Sequence, residues 1–146
     1  MVTKAEFNRR LGLKINREIW NEGRVDRIPL YFSEDFVSDR GPHGVVQGLD
    51  NLRLAVERSH RAFEGFAEEV HTVVADDQHV VVHFTIKGRH SGPWGPIPPT
   101  GKDVAMDEIV IMTVRDSKVV RLVGIVDNLT GLRQVGVLPP MAKTHA

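Results

Sequence analysis

The chain contains no cysteine. Disulfides, thiolate nucleophiles and zinc–thiolate centres are thereby excluded, and the reading from composition is a cytoplasmic protein. Charge of one sign is also missing: 19 Lys and Arg balance 19 Asp and Glu. With no basic field to hold a phosphate backbone, nucleic acid is not an expected partner. No apolar run approaches the ~20 residues of a membrane span. The opening Met1-Val2-Thr3-Lys4-Ala5-Glu6 has no apolar signal core, so no membrane partner is expected. Among the 7 histidines there is no His-x-His, no His-Glu-x-x-His and no calcium loop, and no metal is expected. Gly-x-Gly-x-x-Gly, the P-loop and Gly-x-Ser-x-Gly are absent too. The expectation is a protein without cofactor or serine nucleophile.

What remains is ordinary for a globular domain: 146 residues, 41% hydrophobic and 26% charged. A chain of this length buries roughly two thirds of its unfolded surface. It reads as one domain spanning 1–146.

Thr3 and Glu6 form a capping-box pattern, and Phe7, Leu11, Ile15 and Ile19 recur at helical spacing with Trp20 beside them. The spacing predicts a helix over 4–22, with Gly23 as its C′ residue. A short helical piece follows over 26–32, with Pro29 near its first turn. Residues 34–39 read as an edge strand and 41–44 as a turn. A second amphipathic helix is predicted over 50–66, with Leu52, Val56, His60 and Phe63 on one face. The pattern then alternates: Val70, Thr72 and Val74, a turn at Asp76-Asp77, and Val80, Val82, Phe84 and Ile86. A loop with four prolines runs from Ser91 to Gly101 and holds Trp94. Strands over 109–114 and 118–127 flank a tight turn at Asp116-Ser117. Helices first and an antiparallel meander afterwards give an α+β fold.

The last strand, Val-Val-Arg-Leu-Val-Gly-Ile-Val-Asp, closes on Asp127. A carboxylate facing an apolar cavity is costly to ionise, so its pKa rises and it becomes a candidate proton carrier. Taking Asp116-Ser117 as a two-residue hairpin loop sets Asp127 opposite Met106, Ile125 opposite Glu108, Val123 opposite Val110 and Arg121 opposite Met112. Glu108 then lies diagonal to Asp127, at roughly 7–8 Å. Two such carboxylates would separate their pKa values, one staying protonated. A slip of one residue would substitute Asp107 for Glu108. Each has a plainer reading: Glu108 and Asp107 as solvated charges, Asp127 as a cap bonded to Asn128 and Thr130. His90 shares parity with Phe84 and Ile86 and is either a site residue near the pocket mouth or a structural histidine holding the loop. His83 has outer parity, and His60 reads as a core histidine. Trp20, Phe36, Phe84 and Met112 are candidate cavity-lining residues, and Trp94 is a candidate lid or subunit contact.

Several residue groups match a known pattern: Asn16, Trp20, Asn21 and Gly23; Gly88, His90 and Gly92; Pro99-Thr100-Gly101-Lys102; Asp127; and Leu132, Gln134 and Gly136. In these the chain resembles the SnoaL-like polyketide cyclases of the nuclear-transport-factor-2-like superfamily. The resemblance implies a cone, in which a curved antiparallel or mixed sheet wraps around the N-terminal helices and an interior pocket. It also implies that Asp127 matches the proposed acid/base of an intramolecular aldol closure. Two positions depart from the pattern. Val123 stands where a tryptophan is usual and Arg121 where an acidic residue is usual, which would alter the pocket wall and, with Val123, its substrate contacts.

The expected function is therefore acid/base catalysis on an apolar, carbonyl-containing small molecule, leading to cyclisation, isomerisation or elimination. Asp127 would work with Glu108 or Asp107, and His90 would position the substrate oxygen. Two alternatives stay open: an epoxide hydrolase using Asp107 and Asp127, although Ala105 stands where its arginine would be, and a non-catalytic binding or assembly module. The mixed outer sheet face, with Val81, His83, Thr85, Ile109, Ile111 and Thr113, leads us to expect a homodimer.

Overall fold

Thr3 starts the first helix by accepting the Glu6 N–H on its hydroxyl oxygen at 3.1 Å. In the computed structural model, which describes residues 1–142, helix α1 runs Lys4–Lys14. It continues without a break as a π-helix over Ile15–Asn21. The predicted helix over 4–22 is thus present, but its last turns are wider than α-helical, a feature that recurs at functional sites. Leu11, Ile15 and Ile19 are buried along its inner face. Gly23 follows at φ +67°, a left-handed conformation that costs glycine nothing, and the Arg24 N–H returns to the Glu18 carbonyl at 3.0 Å.

A 3₁₀ turn at Val25–Arg27 and helix α2 (Ile28–Tyr31) match the short helical piece expected there. Strand β1 (Phe32–Asp39), a 3₁₀ turn (Gly41–His43) and strand β2 (Val45–Gln47) come next. Helix α3 (Leu49–Ala62) ends four residues before the predicted 66. Strand β3 (Phe63–Ala75) begins there because Phe63 and Glu64 pair with His90 and Arg89. Strand pairing overrides the helical periodicity, and Gly65, at φ +67°, sits in the resulting bulge. Strands β4 (His79–His90), β5 (Asp103–Arg115) and β6 (Lys118–Val126) complete the meander. Helix α4 (Asn128–Gln134) closes the described chain and was not expected from the sequence.

The strands form a six-stranded mixed sheet in the order β2-β1-β6-β5-β4-β3. All neighbours are antiparallel except β1 and β6. β1 is therefore not an edge, as β2 covers it. The curved sheet wraps the N-terminal helices, as expected of the α+β cone. Its inner face supplies Val80, Val82, Phe84, Met106, Val110, Met112 and Leu122 to one core with Phe32 and Phe36. Among the described residues no helix is long and apolar enough to cross a membrane.

The β5–β6 register decides which side chains enter the cone. Asp116 and Ser117 both take positive φ, 50° and 64°, the two-residue hairpin turn expected. Arg115 pairs with Lys118 and Val114 with Val119, but Thr113 then pairs with Arg121. Val120 is the extra residue of a bulge. Beyond it every partner shifts by one, so Glu108 faces Val126 and Ile125 faces Ile109. With a side-chain period of two, that shift leaves Met106, Glu108, Val110 and Met112 of β5 inward but turns Arg121, Val123, Ile125 and Asp127 outward.

Candidate functional site

Three strand-parity relations converge on one small cavity inside the cone. Glu108 shares parity with Met106, Val110 and Met112, all buried on the inner face of β5. Glu68 shares it with Phe66 on β3. Arg40 continues the inward parity of Phe36 and Ser38 just beyond β1. Ile15, Asn16 and Trp20 of the first helix, with Phe84, Val110, Met112 and Leu122, complete the lining. The free volume is about 20 Å³, room for about one water molecule.

Two carboxylates lie buried here, Glu68 at 5% exposure and Glu108 at 6%. Asn16 donates a side-chain hydrogen bond to Glu68 Oε2. Asn21 holds the backbone of the same residue: its Oδ1 accepts the Glu68 N–H at 2.6 Å, and its Nδ2 donates to the Glu68 carbonyl at 3.2 Å. Arg40 Nη1 donates to Glu108 Oε1 at 3.0 Å. Burial, and after it the charge of Glu108, pushes the Glu68 pKa well above the usual carboxylate range, against the Asn16 hydrogen bond and the Arg40 charge. Burial also raises Glu108, but Arg40 opposes the rise by charge and hydrogen bond. The two carboxyls thus differ in environment. Glu68 keeps its proton more readily than Glu108, which has a cation beside it.

Of the residues singled out from the sequence, Glu108, Trp20, Phe84 and Met112 line this cavity. Asp127 does not. It is exposed, and it caps α4 by accepting the Thr130 N–H at 3.0 Å and the Thr130 hydroxyl at 2.6 Å. Those bonds hold its pKa below the usual range, the reverse of the elevation expected. The bulge at Val120 is the physical cause, because it sends Asp127 to the outer face beside Asp107.

Asp107 is exposed on that outer face, bonded to Thr85 at 2.7 Å and His83 at 3.0 Å, which lower its pKa. Val123 also points outward and is exposed, so neither it nor Arg121, which pairs with Asp39, alters the pocket wall.

His90 is fully buried at 0% exposure but lies at the far end of β4, outside the cavity lining. Its Nδ1 meets Thr100 Oγ1 at 3.0 Å, and its ring packs between Phe63 and Trp94. This is the structural reading. Trp94 is half-buried against Phe63, His90 and Gly131, and it anchors its own loop instead of covering the cavity. Phe36 sits in the core, edge-on to Phe32 at 4.9 Å, and is not among the lining residues.

Sequence reading missed Glu68 and Arg40 as site residues. Extending helix α3 to 66 hid the alternation Phe66-Glu68-Val70, which would have placed Glu68 inward. The alternation Phe36-Ser38-Arg40 carried the same signal for Arg40. Asn16 and Asn21 were marked through the resemblance, without their partner Glu68.

The chain is similar in structure to a protein of Jannaschia sp. CCS1 assigned to the SnoaL-like polyketide cyclases, with a TM-score of 0.86 at 20% identity over 95% of this chain and 98% of that one. It is also similar to AclR of Streptomyces galilaeus, assigned as a hydroxylase, with a TM-score of 0.81 at 25% identity over 93% and 85% of the two chains. TsrD of Streptomyces laurentii superposes with a TM-score of 0.82 at 23% identity over 90% and 96%. No curated protein matches the chain. The family model described as SnoaL-like polyketide cyclase matches residues 11–135. The chain belongs to the SnoaL-like polyketide cyclase family.

Proposed function

We propose that this protein is a cofactor-independent acid/base catalyst acting on an apolar, carbonyl-containing small molecule, with Glu68 and Glu108 as its working carboxyls. One observation carries the reading: two neighbouring buried carboxyls, one beside an arginine and one beside an asparagine, in an otherwise apolar cavity. Glu108, ionised beside Arg40, removes a proton from the carbon next to a carbonyl. The resulting enolate carbon attacks a second carbonyl of the same molecule, and Glu68 delivers its proton to the oxygen that becomes the alcohol. Solvent exchange then resets both groups. The aliphatic wall of Val110, Met112 and Leu122 keeps water from competing.

The cavity is narrow, so the substrate has to part the side chains at its mouth. Trp20 is half-buried and the Arg40 side chain is 32% exposed, and these two stand nearest solvent. The test is deuterium exchange at the α-carbon of a 1,3-diketone followed by NMR. Glu108→Gln should slow exchange by about 10²–10⁴-fold. Exchange unchanged in both Glu108→Gln and Glu68→Gln rules the reading out.

The small free volume favours a second reading, a non-catalytic binding or assembly module. Exposed Ile109, Ile111 and Ile125 on the outer sheet face offer such a module a surface. An epoxide hydrolase would draw on the same acid and carboxylate, Glu68 and Glu108, in place of Asp107 and Asp127. Labelled oxygen from water in a diol product would identify it.

A further inference from the structure

Arg40 is the one cation among the described residues that line the cavity. Arginine carries five N–H donors. Its side chain donates from Nη1 to Glu108, and Nε and Nη2 form no hydrogen bond among the described residues. The side chain is one-third exposed, whereas that of its partner is 7% exposed. Arg40 also stands on the turn between β1 and β2, where Gly41 and Gly44 take φ of +59° and +98°. Glu108 is fixed in β5, paired on one side with Phe84 and on the other with Val126. In this ion pair the arginine is the member open to solvent.

We propose that Arg40 is the oxyanion-recognition group of this cavity, and that it leaves Glu108 to bind the enolate or carboxylate oxygen of the substrate. The inference rests on the reading of the cavity as a proton-transfer site. The charged groups facing Glu108 are Arg40 from the β1–β2 turn and Glu68 from β3; Asn16, from the first helix, is polar and neutral. When Arg40 turns to a substrate oxyanion, Glu108 is left facing Glu68 in an apolar wall without its counter-charge. It then holds a proton more strongly. During turnover that proton is the one removed from the substrate carbon, so oxyanion binding and base strength rise together. When a ready-made oxyanion binds, the proton comes from solvent.

The test is calorimetric titration near neutral pH of benzoate, and of neutral benzamide, in two buffers of different ionisation enthalpy. Benzoate should bind wild type about tenfold or more tightly than benzamide, with uptake of about one proton. Arg40→Gln should abolish both the preference and the uptake, and Arg40→Lys should restore part of the preference. Glu108→Gln should keep the preference and lose the uptake. Equal affinities, a preference that survives in Arg40→Gln, or benzoate binding without proton uptake would each overturn the proposal. The uptake measured on wild type decides the matter even if Arg40→Gln does not fold. Benzamide binding that shifts Trp20 fluorescence, without any benzoate preference, sinks the role of Arg40 and leaves the Glu68–Glu108 reading standing. Binding of neither probe sinks both.

Discussion

Asn21 grips the backbone of Glu68 from both sides, accepting its N–H at 2.6 Å and donating to its carbonyl at 3.2 Å. β3 is an edge of the sheet, so on its open side Glu68 has no strand to pair with. The side-chain amide of Asn21 takes the place of one, and the π-helical turn carries it there. The same turn presents Asn16 to the Glu68 carboxyl. One irregular helical segment thus fixes both the backbone and the side chain of a single glutamate.

Asn21→Ala removes both backbone contacts and leaves a largely buried amide and carbonyl unpaired. The expected loss is about 1–3 kcal/mol, read as a lower midpoint in urea unfolding at an unchanged m-value. An unchanged midpoint would mean that water replaces the clamp at no cost.

Glu68→Gln should change how stability depends on pH. The Glu68 pKa is raised in the folded state, so its contribution is fully present below the unfolded carboxylate value, about 4.3. It is lost as pH rises through the folded value. Glutamine keeps an acceptor for Asn16 and cannot ionise. The variant should therefore match wild type near pH 4 and exceed it at pH 8, with about 2–4 °C in Tm for each kcal/mol gained. Parallel Tm-against-pH curves for the two proteins would contradict the buried, proton-holding assignment.

Asp127→Asn should preserve activity, because the side chain caps α4 and does not enter the cavity. Asparagine is an equally good N-cap, whereas Asp127→Ala removes the acceptor for Thr130 and should lower the unfolding midpoint. The Asp127 pKa is depressed, so its contribution is present above the unfolded value and fades as pH falls through the folded one. A turnover assay on both variants separates the roles, since a catalytic Asp127 would lose its rate in the asparagine protein as well.

Gly131→Ala tests how α4 is seated on the cone. A Cβ there would lie 2.6 Å from Met106 Sδ and 2.9 Å from Trp94 Cη2. Neither contact is tolerable, so Met106 or the Trp94 loop has to move, at about 1–3 kcal/mol. Thermal unfolding followed by near-ultraviolet dichroism should show a lower Tm and an altered tryptophan band. A Tm at the wild-type value would show that the loop yields freely.

Much of the architecture was legible because local chemistry dictates it. Thr3 and Glu6 mark a helix start, Asp116-Ser117 marks a hairpin turn, and the alternation from Val80 to Ile86 marks a strand with one apolar face. The site was less legible because its members lie far apart in the chain: Asn16, Arg40, Glu68 and Glu108 meet only after the sheet curves. Helical periodicity carried past Phe63 masked the parity of Glu68, and a strand ending in a carboxylate drew the eye to Asp127.

By itself the sequence determined the order of the elements, β2 and α4 apart, and the apolar inward stripes of β4 and β5, since alternation along a strand is a local property. Which acidic group would share the cavity with Glu108 was decided by tertiary structure. A single extra residue at Val120 turned Asp127 to the outside, and the wrapping of β3 against the π-helical turn brought Glu68 in. Bulges and sheet curvature depend on how distant strands pair, and periodicity within one strand carries no record of its partner.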